Sequence, residues 1–304
     1  MFKKLFFSYY DLVLSNRSKE KAETIIIWIA ILSFLVHLFL ITLVNNGFIA
    51  LDEPSKLLTN PISAIYTPFS FILFFEVYLL VYFIPKSISN YIAKQYEIIA
   101  LIVVRRIFKD LSYLDLESEW FLNQNDLQFT YDILSTLIIF FLIYWFHRLN
   151  SKRKSRGGNK KSLPPNVVVF IERKKVMAAL LVPVILGMAA FSFYEWAMEA
   201  VKMLRLHTDD GNLIDVNNIF YDQFFTLLIL TDVLLLLFSF FHTTQFHTFI
   251  RNSGFIISTI LIRISFSVDG LVNDILIVVS IFFGVLVLLI TEQYSKLKSD
   301  KLEV

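Results

Sequence analysis

The sequence has no cysteine, which excludes disulfides, thiolate metal sites and cysteine nucleophiles. Only 8 glycines occur in 304 residues, and no two of them form a Gly-x-x-x-Gly pair. Tight glycine-mediated helix packing is therefore not expected, and helix interfaces should rely on Phe, Leu and Ile packing and on charge pairs. There is no Walker loop, no Gly-x-Ser-x-Gly, no His-Glu-x-x-His and no dinucleotide fingerprint. No catalytic motif points to an enzyme, and no cofactor is implied. Basic residues are not interleaved with aromatics along a groove, so nucleic acid is not an expected partner. No small-residue cleavage site follows the first apolar run, so a cleaved signal peptide is not expected either.

Charge is scarce at 18%, while 56% of residues are apolar and Phe alone occurs 32 times. A soluble domain of this length cannot hide that much apolar surface. Six stretches have the length and apolarity needed to cross a hydrocarbon core of about 30 Å. They are Thr24–Asn45, Ala64–Phe83, Leu127–Phe146, Lys175–Ala197, Ile219–Phe241 and Leu271–Thr291. Two weaker segments, Tyr96–Leu111 and Gly254–Val268, each carry an Arg near the middle. The expected fold class is all-α, a polytopic helical membrane bundle of about eight transmembrane helices.

The distribution of Lys and Arg sets the orientation, because both accumulate on the cytoplasmic side. With eight crossings and both termini inside, the inner side holds Lys3, Lys4, Arg17, Lys19, Lys21, Lys86, Lys94, the Arg148–Lys175 stretch, Arg251 and the tail lysines. The outer loops are acidic: Asp52, Glu53, Asp115, Glu117, Glu119, Asp126, Asp209, Asp210, Asp215 and Asp269. Residues 1–23 read as a cytoplasmic or interfacial segment, with Phe2, Leu5, Phe6, Tyr9, Leu12 and Val13 at helical spacing. Residues 24–148 form a first four-helix half and 175–293 a second. Between them, 149–174 is a basic, flexible cytoplasmic linker, and 294–304 is a cytoplasmic tail. The localisation that follows is the cell (inner) membrane. Membrane lipids are the expected partners, and a homo-oligomer or a protein partner is compatible with the pattern.

The two halves resemble each other. Ile92, Ile98, Ile99, Ile102 and Arg105 align with Ile250, Ile256, Ile257, Ile260 and Arg263. Asp132-Ile133-Leu134 aligns with Asp274-Ile275-Leu276, and the preceding spans carry Glu76 and Asp232. The repeated order of rare charges is acid, Arg, Asp. It indicates duplication, with both halves pointing the same way.

An ionisable side chain inside a bilayer must pair, face protein or line a wet cavity. Glu76, Arg105 and Asp132, with their counterparts Asp232, Arg263 and Asp274, are the charge-pair candidates. Arg105 is expected to contact Glu76 or Asp132, and Arg263 to contact Asp232 or Asp274. On its helix Arg105 shares a face with Leu101 and Glu97, while Arg106 points elsewhere. His37 and Glu195, deep in the first and fifth spans, are secondary candidates together with Glu97. His242 and His247 are five apart, a poor spacing for one metal site, so no metal is expected. The functional expectation is a channel or transporter with these pairs near its pathway. The alternative is a non-catalytic membrane subunit or scaffold that binds a partner protein, with the same pairs acting as structural pins.

Overall fold

The computed structural model describes residues 2–48, 59–111, 124–156, 165–206, 216–240, 246–268 and 270–300. Among these the regular structure is entirely helical: α1 Phe2–Val13, α2 Asn16–Asn45, a 3-10 turn Pro61–Ile65, α3 Tyr66–Phe83, α4 Ile88–Leu111, α5 Gln124–Arg156, α6 Pro165–Leu206, α7 Val216–Phe240, α8 Phe246–Ser265 and α9 Gly270–Asp300. Among the described residues four stretches are long and apolar enough to cross a membrane: Ser8–Asn45, Pro61–Phe83, Asp126–Lys152 and Gly270–Tyr294. Large apolar side chains face outward along them, Trp28, Leu32 and Phe39 on α2 and Leu137 and Phe141 on α5. Polar groups face inward, the reverse of a soluble protein and the arrangement a lipid solvent requires.

Local chemistry fixes the helix ends. The Ser15 hydroxyl accepts the Ser18 amide at 3.1 Å and caps α2. At the other end Gly47 takes φ +75°, and the amides of Gly47 and Phe48 return to Val44 and Leu43. Ser87 accepts the Asn90 amide at 3.3 Å, and α4 accordingly begins at Ile88. That start lies eight residues before Tyr96, the edge of the apolar segment in the sequence. Likewise α8 begins at Phe246, eight residues before Gly254. The added turns are polar, which hid them from a hydropathy reading. The consequence is a correction. Arg105 and Arg263 do not sit at mid-helix but three-quarters of the way along α4 and in the last turn of α8.

Packing follows chain order. Helices α2, α3, α4 and α5 pack consecutively, as do α6, α7, α8 and α9. The two sets join mainly through α5 against α9, with smaller contacts of α3 with α6 and of α4 with α8. Asp132 and Asp274 meet near the first turns of α5 and α9. Phe146 farther along α5 meets Phe255 of α8, which neighbours Gly254 against Val287 of α9. Helices α5 and α9 therefore run parallel. Helix α4 is the most enclosed: Ile92, Ala93, Tyr96, Ile98, Ile99, Ala100 and Val103 are each at most 4% exposed. Its polar side chains are tolerated because protein, not lipid, surrounds them.

Two glycines overturn the expectation that close glycine packing is absent. A Cβ on Gly254 would lie 2.6 and 2.7 Å from the Val287 methyls, so α8 approaches α9 there by lacking a side chain. A Cβ on Gly284 would fall on the Tyr96 hydroxyl and 2.9 Å from its Cζ. That space lets Tyr96 hydrogen-bond Ser258 at 2.7 Å. A single glycine at a crossing suffices, so counting paired motifs misses it. The N-terminal helix α1 is docked on the bundle rather than frayed. Tyr10 and Leu14 are buried, and the Tyr78 hydroxyl donates to the Val13 carbonyl at 2.8 Å.

Candidate functional site

Polar side chains of α4 build three clusters, two at neighbouring positions near its start and one farther along. The first lies at the end where α3 closes and α4 opens. Counting outward from Pro85, Glu76 and Lys94 are each nine residues from the turn, so antiparallel helices bring them level. Lys94 Nζ pairs with Glu76 Oε2 at 2.6 Å and with Glu97 Oε2 at 2.9 Å. His147 Nε2 on α5 then meets Glu97 Oε1 at 2.8 Å. These groups floor a cavity of about 460 Å³, also lined by Lys19, Glu23 and Asn90. Lys94 and Glu76 are 13% exposed, whereas Glu97 and His147 are 36% and 46% exposed. The cavity thus runs from an open mouth to an enclosed ion pair. Three carboxylates against two lysines leave it net acidic while His147 is neutral.

The second cluster lies twelve residues further along α4, roughly 18 Å away along the helix axis. Arg106 Nε donates to Asp132 Oδ2 at 2.7 Å and Arg106 Nη2 to Asp132 Oδ1 at 2.8 Å, a two-pronged clamp. Arg106 Nη2 also reaches Asp274, and its Nη1 donates to Asn273 Oδ1 at 2.8 Å. Gln128 Nε2 bridges Asp132 and Asp274 at 2.7 and 3.2 Å. Asn273 in turn donates to the Ser265 and Val268 carbonyls at 2.6 and 3.1 Å, which closes the last turn of α8.

The third cluster is buried between α4, α7 and α8. Gln95 Nε2 donates to both oxygens of Asp232, at 3.3 and 3.1 Å, and Thr259 lies close by with its hydroxyl donating to the Ile256 carbonyl at 2.9 Å.

Measured against the sequence reading, the acids are in place but their partners differ. The guanidinium on Asp132 and Asp274 belongs to Arg106, not to Arg105 or Arg263. Glu76 pairs with Lys94, which had been counted as a loop charge. Asp232 meets an amide rather than Arg263. Adjacent arginines diverge by about 100° around a helix, and which one faces α5 is a packing outcome. Glu76 also lies well away from Arg105. With α4 starting at Ile88, Arg105 is eleven residues beyond Lys94, roughly 16 Å along the axis. Arg105 is itself buried, at 7% exposed, and Arg263 is half-buried. His37 Nδ1 meets the Thr67 hydroxyl at 2.5 Å, tying α2 to α3. Glu195 falls within α6, but its side chain lies outside the described residues, as do His242 and the acidic loop residues 52, 53, 115, 117, 119, 209, 210, 215 and 269. Lys94, Gln95, Arg106, Gln128, His147 and Asn273 were missed. The i,i+3 spacing of Lys94 and Glu97, and equal counting from Pro85, could have found the first. The described residues hold no group of three His, Cys, Asp or Glu suited to a metal.

Comparison of the chain with protein-family models, curated proteins and solved structures finds no match. The all-helical fold, with its four described stretches apolar enough to cross a membrane, is that of a membrane-type helical protein, and a reading of its role rests on the chemistry of the three clusters.

Proposed function

We propose that this chain is a channel- or transporter-type protein of the cell (inner) membrane. Its vestibule is the cavity above Glu76, Lys94, Glu97 and His147. The observation that carries this reading is that cavity: an opening inside a membrane bundle, net acidic, ending on an enclosed ion pair. Such a vestibule concentrates protons and small cations. It lies at the end bearing Lys19, Lys86 and Arg148, the cytoplasmic side by the positive-inside rule. Eight crossings in two like-oriented halves, with both termini inside, fit this reading. The parallel course of α5 and α9 supports it, since four reversals separate them. So does the meeting of the aligned residues Asp132 and Asp274 on one guanidinium. Labelling a cysteine introduced at Gly157 from inside, and not from outside, checks the orientation.

One observation favours the scaffold reading for part of the molecule. The Arg106 cluster is multiply hydrogen-bonded and joins α4, α5 and α9, which suits a pin between halves rather than a path.

The test places purified protein in liposomes and follows proton, cation and anion flux under an imposed potential. Glu76→Gln and Glu97→Gln should reduce flux at least tenfold while the protein stays folded. A folded wild type that passes no ion under any gradient ends the transport reading and leaves the scaffold.

A further inference from the structure

We propose that Asp232 is a proton-binding site, occupied as a neutral carboxylic acid that pairs in a ring with the Gln95 amide. Asp232 is 2% exposed and lies eight residues before Phe240, the end of α7. Among the described residues no Lys, Arg or His pairs with it. The groups that face it are Gln95 and Tyr91 from α4 and Thr259 from α8. Among the described side chains of α6, which also packs on α7, none is a partner. This sets Asp232 apart from Asp132 and Asp274, which share the Arg106 guanidinium.

A bare carboxylate in such a place loses its hydration with no counter-charge to offset the loss. A second, independent feature points the same way. The Gln95 carbonyl Oε1 is buried and has no donor, although Gln95 is only 3% exposed. The Tyr91 hydroxyl, 1% exposed, also lies beside Asp232. Buried polar groups are rarely left unsatisfied without a reason. One proton on Asp232 removes the charge and supplies the missing donor. The carboxylic O–H donates to Gln95 Oε1, and Gln95 Nε2 donates back to the other carboxyl oxygen. Both side chains are then satisfied by two parallel hydrogen bonds. Gln95 is the neighbour of Lys94, so the site lies across α4 from the vestibule floor. That proximity makes the proton the ion the vestibule would serve, a step that rests on the proposed function.

Infrared difference spectroscopy on the full chain in liposomes, in H₂O and in D₂O near neutral pH, tests the site. A protonated-carboxyl C=O band is expected in the wild type, absent from Asp232→Asn and retained in Asp132→Asn and Asp274→Asn. In Gln95→Leu the band should move to higher wavenumber, because its hydrogen-bond partner is gone. Identical spectra for wild type and Asp232→Asn overturn the proposal. Should Asp232→Asn not fold, an unmoved band in Gln95→Leu overturns it equally. Flux measurements separate the two readings. If the band depends on Asp232 but the wild type passes no ions, the proton site stands and the transport reading falls.

Discussion

Replacing Arg106 by Leu should be among the most damaging single changes in the bundle, and the structure sets its scale. The guanidinium is 29% exposed, but its partners Asp132 and Asp274 are 0% and 2% exposed. Removing it leaves two carboxylates facing each other with only Gln128 and one another for company. Breaking a buried pair from one side costs about 3–5 kcal/mol. The partial exposure of Arg106 argues for the lower end, about 3 kcal/mol. Unfolding in mixed micelles by titration with sodium dodecyl sulfate, followed by the fluorescence of the 4 tryptophans, measures it. A cycle with Asp132→Asn should give a coupling of about 0.5–3 kcal/mol, the range for residues in direct contact. The same cycle with Arg105→Leu should be additive within about 0.5 kcal/mol. Lowering the pH should recover part of the Arg106→Leu loss, because protons neutralise the stranded carboxylates. If Arg106→Leu is as stable as wild type, or Arg105 rather than Arg106 couples to Asp132, the clamp described here is wrong.

Gly284→Ala should destabilise by about 1–3 kcal/mol through overpacking, with its Cβ driven onto Tyr96. Adding Tyr96→Phe should restore only part of this, since the ring carbon Cζ is already 2.9 Å from the new methyl position; full restoration would show that the hydroxyl alone is crowded. Lys174, one residue before the span Lys175–Ala197, is 3% exposed, and burial, then repulsion from Arg251, pushes it down to about 8 from 10.5. Its ammonium donates to the Lys86 carbonyl at 3.0 Å. Between about pH 8 and 10.5 the unfolded chain binds more protons than the folded one, so stability rises with pH across that window. Lys174→Met should flatten that rise, as denaturation midpoints at successive pH values would reveal. An unchanged slope would show that Lys174 is solvated.

Much of the architecture was legible along the chain. Apolar runs longer than a bilayer is thick, Asn46 and Gly47 after the first span, and the inventory of acids and arginines could be read without coordinates, because hydropathy and backbone capping are local. The site was only half legible. Asp132, Asp274, Glu76 and Asp232 stood out in the sequence because a rare charge in an apolar helix is conspicuous anywhere. Their partners were not, because partnership depends on how α4 is turned and where it starts. Its first two turns, Ile88–Gln95, look like loop by composition and become helix because Ser87 caps them and α3, α5 and their neighbours enclose them. That extension put Arg105 three-quarters of the way along α4 rather than at mid-helix and brought Lys94 level with Glu76. The sequence by itself determined that the chain is helical, has runs apolar enough to cross a membrane, and carries isolated acids within those runs. Tertiary structure alone decided that Arg106 holds Asp132 and Asp274, that Gly254 and Gly284 admit Val287 and Tyr96, and that Asp232 faces an amide. The physical reason is that one helical position rotates a side chain by about 100°, and only packing against neighbouring helices chooses which rotation faces which partner.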